Sequence, residues 1–294
     1  MQSVIRIGSR DSILAVRQAE LIRDRISQEH PELDIRIITM KTTGDKILDK
    51  SLAAIGGKGL FVKELDRALL DGRIDIAVHS LKDVPMELNP DLPLLAFGKR
   101  EDPRDVMIYR QGLSELPENA VIGTSSRRRE LQLKKLCPAY TFRGIRGNVQ
   151  TRMRKLEEEG YDGTLLAAAG LKRLGMEHVI GQYFSVDEII PAAGQGILAV
   201  QGRRGEDYSW LTCVDDPESR AAAAAERAFI RTVGGGCTSP SAAHAQVSGN
   251  EVKLTGLYYD EDSREYSVDS VISEIGKVQG AAENLAGKLA ENCM

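Results

Sequence analysis

The chain opens on an alternating apolar run, Val4, Ile5 and Ile7, meets Gly8, and then places Ala15, Ala19, Ile22 and Ile26 at helical spacing. That pattern predicts a strand, a short glycine turn and a helix. A second strand is expected at "DIRIITM". The following stretch, "KTTGDKILDKSLAAIGGKG", is too polar and too broken by glycine to be core and reads as a mobile loop. A helix is expected over "LFVKELDRALLDG", ending at Gly72, and "IDIAVHS" alternates again until "LKDVP" stops the pattern at Pro85. Strands and helices that alternate in this way point to an α/β fold with a mainly parallel sheet.

Near residue 100 the charged, proline-containing "GKREDPRD" marks a crossover between domains, after which the grammar restarts. "AVIGTSSRRRELQLKKL" is again a strand ending in Ile-Gly, then small hydroxyl residues, then a helix. Further helices are expected at "NVQTRMRKLEEEG" and "GLKRLG", with a buried strand at "GTLLAAA" between them. Pro191, Gly194 and Gly196 suit a hinge or a return crossing. From "SRAAAAAERAFIRTV" the style changes to one alanine-rich helix, a glycine loop with Cys237, three strands and a last helix, which is a small α+β domain.

Composition sets the surroundings. The 294 residues are 42% hydrophobic and 28% charged, enough apolar material for more than one core. The sequence holds no run of about 18 apolar residues and no secretion-type h-region at its start, so a soluble, cytoplasmic protein without a membrane partner is expected. Cys137, Cys213, Cys237 and Cys293 form no C-x-x-C pair, and the four histidines show no ligand spacing, which argues against a metal or a dithiol centre.

A net charge of -4 conceals a basic segment: residues 121 to 154 hold nine Lys or Arg and one acid, Glu130. Arg127, Arg128 and Arg129 stand just inside a helix start, where positive charge opposes the dipole, so helix stability does not explain them. With Arg143, Arg146 and Arg152 they imply a polyanionic ligand, because guanidinium forks take carboxylate or phosphate bidentately. Nucleic acid is the rival ligand, opposed by the acidic overall balance, an aromatic content of 5% and the lack of a recognisable module. Arg127 and Arg154 are the members most suited to a merely solvated face. Ile7-Gly8-Ser9-Arg10 is echoed by Ile122-Gly123-Thr124-Ser125, and each precedes a helix whose unsatisfied N–H groups and hydroxyl caps favour an anion. Asp83, at the end of a strand, is either a general acid, an electrostatic partner for a developing cation, or a residue that shapes the turn before Val84-Pro85. His79 reads as structural. Cys237 is either a small buried hydrophobe or, with Gly234, Gly235 and Gly236 before it, an approachable sulfur; no base adjoins it.

In order along the chain, "GSRDSILA", "GGKGLFVKEL", "DIAVHSLKDVP", "VIGTSSRRRE", "RGNVQTR", "AAAGLKRL", "PAAGQG" and "GGGCTSP" resemble the porphobilinogen deaminase (hydroxymethylbilane synthase) family. The resemblance covers nearly the whole chain. It implies two periplasmic-binding-protein-like (type II) α/β lobes plus a small α+β C-terminal domain, divided as 1–99 with 195–218, 100–194 and 219–294. It implies a transferase that joins four porphobilinogen molecules head to tail into hydroxymethylbilane, releasing ammonia, in tetrapyrrole biosynthesis. A dipyrromethane cofactor would be bound covalently to Cys237. Asp83 matches the catalytic aspartate, expected to assist loss of ammonia and to stabilise the resulting cation. Lys82, Thr124, Ser126, Arg128, Arg129, Arg146 and Arg173 match positions that hold the cofactor. Arg10, Ser12, Arg152, Ser80 and Gln195 match substrate positions, and Lys58 and Phe61 border a lid over about 45 to 60. The substrate partner is porphobilinogen, with no nucleic acid, and a monomer is expected. Three residues depart from the family pattern: Arg127 where Leu is usual, Gln201 where Glu is usual, and Gly234 where Glu is common.

Overall fold

The computed structural model describes residues 4–42, 62–235 and 239–293. Lys58, Phe61 and Cys237 lie outside the described residues, as does the whole stretch from about 45 to 60 read as a lid. Two compact units divide the chain, Met1–Glu101 with Ile197–Arg220, and Asp102–Gly196 with Ala221–Met294.

In the first unit, β1 (Val4–Arg10), α1 (Ile13–Glu29), β2 (Asp34–Met40), α2 (Lys63–Leu70), β3 (Ile76–Ser80) and β4 (Leu94–Phe97) are joined by the returning strand β10 (Leu198–Gly202). The sheet order is β2-β1-β3-β10-β4. β1 runs parallel to β2 and β3, and β10 runs antiparallel to β3 and β4. One face packs Ile7, Ile76, Val78 and Val200 against Ala19, Ile22 and Ile26 of α1, the stripe foreseen from spacing. The other buries Ala77 against Leu65 and Leu69 of α2 and against Leu92. Gly8 lies on the α2 side, where a Cβ would press on the ends of the Ile74 and Leu65 side chains.

The second unit repeats this plan with β5 (Asp105–Tyr109), β6 (Val121–Gly123), α3 (Arg127–Leu136), β7 (Thr141–Arg143), α4 (Val149–Glu158), β8 (Gly163–Ala167), α5 (Ala168–Arg173) and β9 (Gln182–Tyr183). Its order is β7-β6-β8-β5-β9, with β6 parallel to β7 and β8, and β5 antiparallel to β8 and β9. Strand for strand, β6 corresponds to β1, and the short sequence echo noted above falls on that corresponding pair. Ser12 caps α1 by accepting from Ala15 N, and Ser126 caps α3 by accepting from Arg129 N. The sheets are mixed rather than mainly parallel. β5 and β10 are the strands by which the chain enters each sheet from outside its local strand–helix alternation, so nothing obliges them to follow its direction.

The same unit carries α6 (Pro217–Thr232) from Ala221 onwards, the antiparallel sheet β11 (Ala242–Ser248), β12 (Glu251–Tyr259) and β13 (Tyr266–Glu274), and α7 (Val278–Glu291). Two α/β sheets plus a small α+β portion are therefore present. Among the described residues, no helix is long and apolar enough to cross a membrane.

Candidate active site

Because β1 and β3 are parallel, their carboxyl ends share one edge of the first sheet, where loops are free to carry chemistry. Arg10 closes β1, Ser12 caps α1, Ser80 closes β3, and a 3-10 turn, Leu81–Asp83, adds Lys82 and Asp83. The main chain fixes that turn: Leu81 N donates to Ile197 O at 3.0 Å and Val84 N to Leu81 O at 3.1 Å. Ser80 Oγ is engaged by the buried Gln18 amide, accepting from Nε2 at 2.9 Å. Asp83 is half-buried, and its carboxylate forms no ion pair with another described residue. His79, buried just before this turn, lies 3.0 Å through Nε2 from Gln201 Oε1. Burial pushes its imidazole down to about 4, against the upward pull of Gln201 and Asp83, with Arg10 adding to the depression.

In the second unit the arginines divide into distinct groups. Arg128 and Arg129 are 5% and 6% exposed, and both turn inward to Asp105, the first residue of β5, which is fully buried. Arg128 Nη1 donates to Asp105 Oδ2 at 2.7 Å, and Arg129 Nη2 and Nε reach Oδ1 at 2.7 and 3.0 Å. Gln195 Nε2 adds the carboxylate's fourth bond, the third to Oδ1, at 3.0 Å. Main-chain oxygens complete the cluster: Arg128 also donates to Ile190 O and Arg129 to Leu165 O. Burial opposes the charged carboxylate, but the two guanidiniums outweigh it and hold Asp105 well below the usual carboxylate range. Two guanidiniums facing one carboxylate leave positive charge in excess at the carboxyl ends of β6 and β8.

Around this cluster, Thr124 Oγ1 accepts from Ser126 N at 3.2 Å, and Arg173 Nη2 donates to Gly196 O at 2.6 Å. Half-buried Arg152 donates through Nε to Gly147 O at 2.9 Å, beside half-buried Arg146. Three arginines serve elsewhere. Arg143 bonds Glu159 O and Gly160 O and stacks on Tyr161, closing the C-terminal end of α4 rather than joining the anion site. Arg154 pairs with Glu158 on an exposed helix face. Arg127 is exposed and pairs with Glu261 at 2.5 Å beside the Tyr259 ring.

Asp105 and Gln18 are the organising residues that the sequence reading overlooked. "GKREDPRD" reads as a crossover from composition alone; the signal for Asp105 is an acid placed immediately before the apolar run Val106-Met107-Ile108.

The described chain reaches Cys237 from both sides. Beyond α6, Gly234 adopts φ +64°, and Gly235 N bonds Ile230 O at 2.9 Å, a glycine-dependent helix ending. Gly234, Ser239 and Ser241 line a cavity of about 410 Å³ together with Arg127 and Tyr259.

These features define a class: an α/β protein of two like-ordered mixed sheets, with cationic side chains at the carboxyl ends of their parallel strands and a small antiparallel sheet appended. The family model described as "Porphobilinogen deaminase, dipyromethane cofactor binding domain" matches residues 5–209, and "Porphobilinogen deaminase, C-terminal domain" matches 221–294. The chain belongs to the porphobilinogen deaminase family. It is 53% identical over 264 residues to porphobilinogen deaminase of Acetivibrio thermocellus, covering 90% of each chain. With that of Thiobacillus denitrificans it shares 47% over 289 residues, 97% of this chain and 94% of the other. Among solved structures, the BenM effector binding domain with its effector benzoate matches with a TM-score of 0.42 and 14% identity, covering 73% of this chain and 89% of that one.

Proposed function

We propose that this chain is a cytoplasmic, monomeric porphobilinogen deaminase that joins four porphobilinogen molecules head to tail into hydroxymethylbilane on a dipyrromethane primer attached to Cys237. The observation that carries this reading is the family match across 5–209 and 221–294, with the cofactor domain named in the first. The donor set fits such a primer, whose pyrrole rings bear acetate and propionate groups. Arg128 and Arg129 already hold one carboxylate, that of Asp105, and the cluster retains positive charge for another. When bound, the primer would supply the nucleophilic terminal pyrrole carbon to which the first unit is joined, each later unit joining the ring added before it.

The chain's own residues would then do the following. Cys237, preceded in sequence by three glycines, acts as a tether, and a tether needs no neighbouring base. Asp83 faces the substrate as ammonia departs and stabilises the cation left behind, the role suited to a carboxylate that forms no ion pair among the described residues. Lys82, Thr124, Ser126, Arg128, Arg129, Arg146 and Arg173 hold the primer's carboxylates, Arg10, Ser12 and Arg152 hold those of the substrate, and Ser80 and Gln195 line the substrate site. Lys58 and Phe61 belong to the lid. The domain division we assign is 1–99 with 195–218, 100–194 and 219–294.

The test is stoichiometry with purified protein and porphobilinogen. One ammonia per porphobilinogen consumed and a linear product of four rings are expected. No consumption, or a product of another length, would contradict the assignment.

A further inference from the structure

Parallel strands β6 and β7 lie side by side, so the loops that leave their carboxyl ends are neighbours. The first loop carries Thr124, Ser125 and Ser126; the second runs from Gly144 to Asn148 and carries Arg146. Thr124 N donates to Arg143 O at 2.9 Å, which ties the two loops where they begin.

The three consecutive hydroxyls are not equivalent. Thr124 Oγ1 accepts from Ser126 N at 3.2 Å, and Ser126 Oγ accepts from Arg129 N at 3.5 Å. Each of these oxygens is engaged as an acceptor, which leaves its hydrogen for an anionic ligand. Ser125 has the opposite polarity. Its Oγ lies 2.9 Å from Ile145 O, and because a carbonyl can only accept, the serine hydrogen is committed to that bond. A ligand carboxylate approaching Ser125 would meet lone pairs alone.

Ile145 O belongs to the peptide unit whose nitrogen is that of Arg146. The unit is planar, so holding its oxygen fixes the plane from which the Arg146 Cα departs. The units on either side are held in the same manner, since Tyr161 Oη donates to Gly144 O at 2.8 Å and Arg152 Nε to Gly147 O at 2.9 Å. Ile145 itself is 1% exposed and belongs to a core cluster with Val106, Leu156 and Tyr161. Of these three side-chain donors, Ser125 is the one supplied by the loop of hydroxyls, and it joins the two groups of anion-binding residues.

We propose that Ser125 is a positioning residue for Arg146: its hydroxyl holds Ile145 O and so fixes the arginine relative to Thr124 and Ser126, the two hydroxyls free to donate to the primer. This rests on the readings of Cys237 as the anchor and of Arg146 as a primer-holding residue, and the test separates them.

Full-length chain purified from cells that make no porphobilinogen is incubated with porphobilinogen, and primer loading is followed as mass gained over time. We expect Ser125→Ala to load about fivefold more slowly than wild type, the scale of one lost neutral hydrogen bond. Ser125 is exposed, so the alanine leaves Ile145 O open to water and the fold intact, and a threonine methyl has room. Ser125→Thr, which keeps the hydroxyl, should load at close to the wild-type rate. Arg146→Gln should slow loading by about tenfold or more, and adding Ser125→Ala to it should slow loading no further. Loading of Ser125→Ala at the wild-type rate, or no recovery in Ser125→Thr, would refute the proposal. So would an equal loss from Ser125→Ala with and without Arg146, the result expected of a serine that touches the ligand itself or serves stability alone. Arg146→Gln that loads like wild type refutes the reading of Arg146, and a wild type that gains no mass refutes the anchor, whatever the serine variants show; the proposal falls with either.

Discussion

Asp83→Ala is expected to keep its fold and to lower porphobilinogen turnover by about 10³-fold or more, the combined scale of a lost electrostatic stabiliser and a lost proton-transfer group. The fold should survive because the turn is held by main-chain bonds, Leu81 N to Ile197 O and Val84 N to Leu81 O, in which the carboxylate has no part. Removing a half-buried side chain that pairs with no described residue leaves no buried partner stranded, so the stability change should stay within about 0.5 kcal/mol. Activity should respond very differently. Loss of ammonia leaves a cation on the substrate, and a carboxylate fixed at a strand end stabilises that charge without having to reorganise. Steady-state kinetics and a thermal melt on the same preparation check both halves. Turnover within tenfold of wild type would remove Asp83 from the mechanism.

The second large effect concerns Asp105, and it should appear in stability first. Asp105→Asn leaves Arg128 and Arg129 buried without their counter-charge, and breaking a buried ion cluster by removing one partner costs about 3–5 kcal/mol. The dependence on pH has a definite sign. The folded-state carboxyl lies below its unfolded value, so its contribution is fully present above the ordinary carboxylate range of about 4 and is lost as pH falls through that range toward the folded value. Urea unfolding at about pH 7 should therefore separate wild type from Asp105→Asn widely, and the gap should narrow at about pH 3. A difference of less than about 1 kcal/mol at neutral pH would mean that the cluster does not act as a unit.

Much of this architecture was legible in the residue pattern because periodicity reports burial directly. Ile22 and Ile26 of α1, the β1 alternation, and the three strands after Cys237 all follow from which positions must avoid water. Ser12 and Ser126 were readable as caps because a hydroxyl before a helix has a local partner. Strand direction was not readable. β5 and β10 have the alternation of any buried strand, and their antiparallel course comes from the path of the chain between units. The arginines show the same boundary in the site. Three consecutive arginines project at successive 100° steps, and only packing decides that Arg128 and Arg129 turn inward to Asp105 while Arg127 stays exposed with Glu261. Arg143 groups with the ligand donors by sequence, but its carbonyl partners lie 16 and 17 residues further on, beyond the reach of local pattern. Asp105 was hidden because it sits in a charged stretch that reads as solvent-exposed, whereas its burial is made possible by the guanidiniums brought to it by another segment.

The central claim is that Cys237 is the covalent anchor of the primer on which Asp83 and the arginines act. Intact mass of the purified wild-type chain, compared with Cys237→Ser, tests it most directly. The wild type should carry an added mass equal to two linked pyrrole units, and Cys237→Ser should show the bare polypeptide mass and no turnover. A wild-type chain that is fully active at its bare polypeptide mass, or a Cys237→Ser chain that still carries the adduct, would contradict the account.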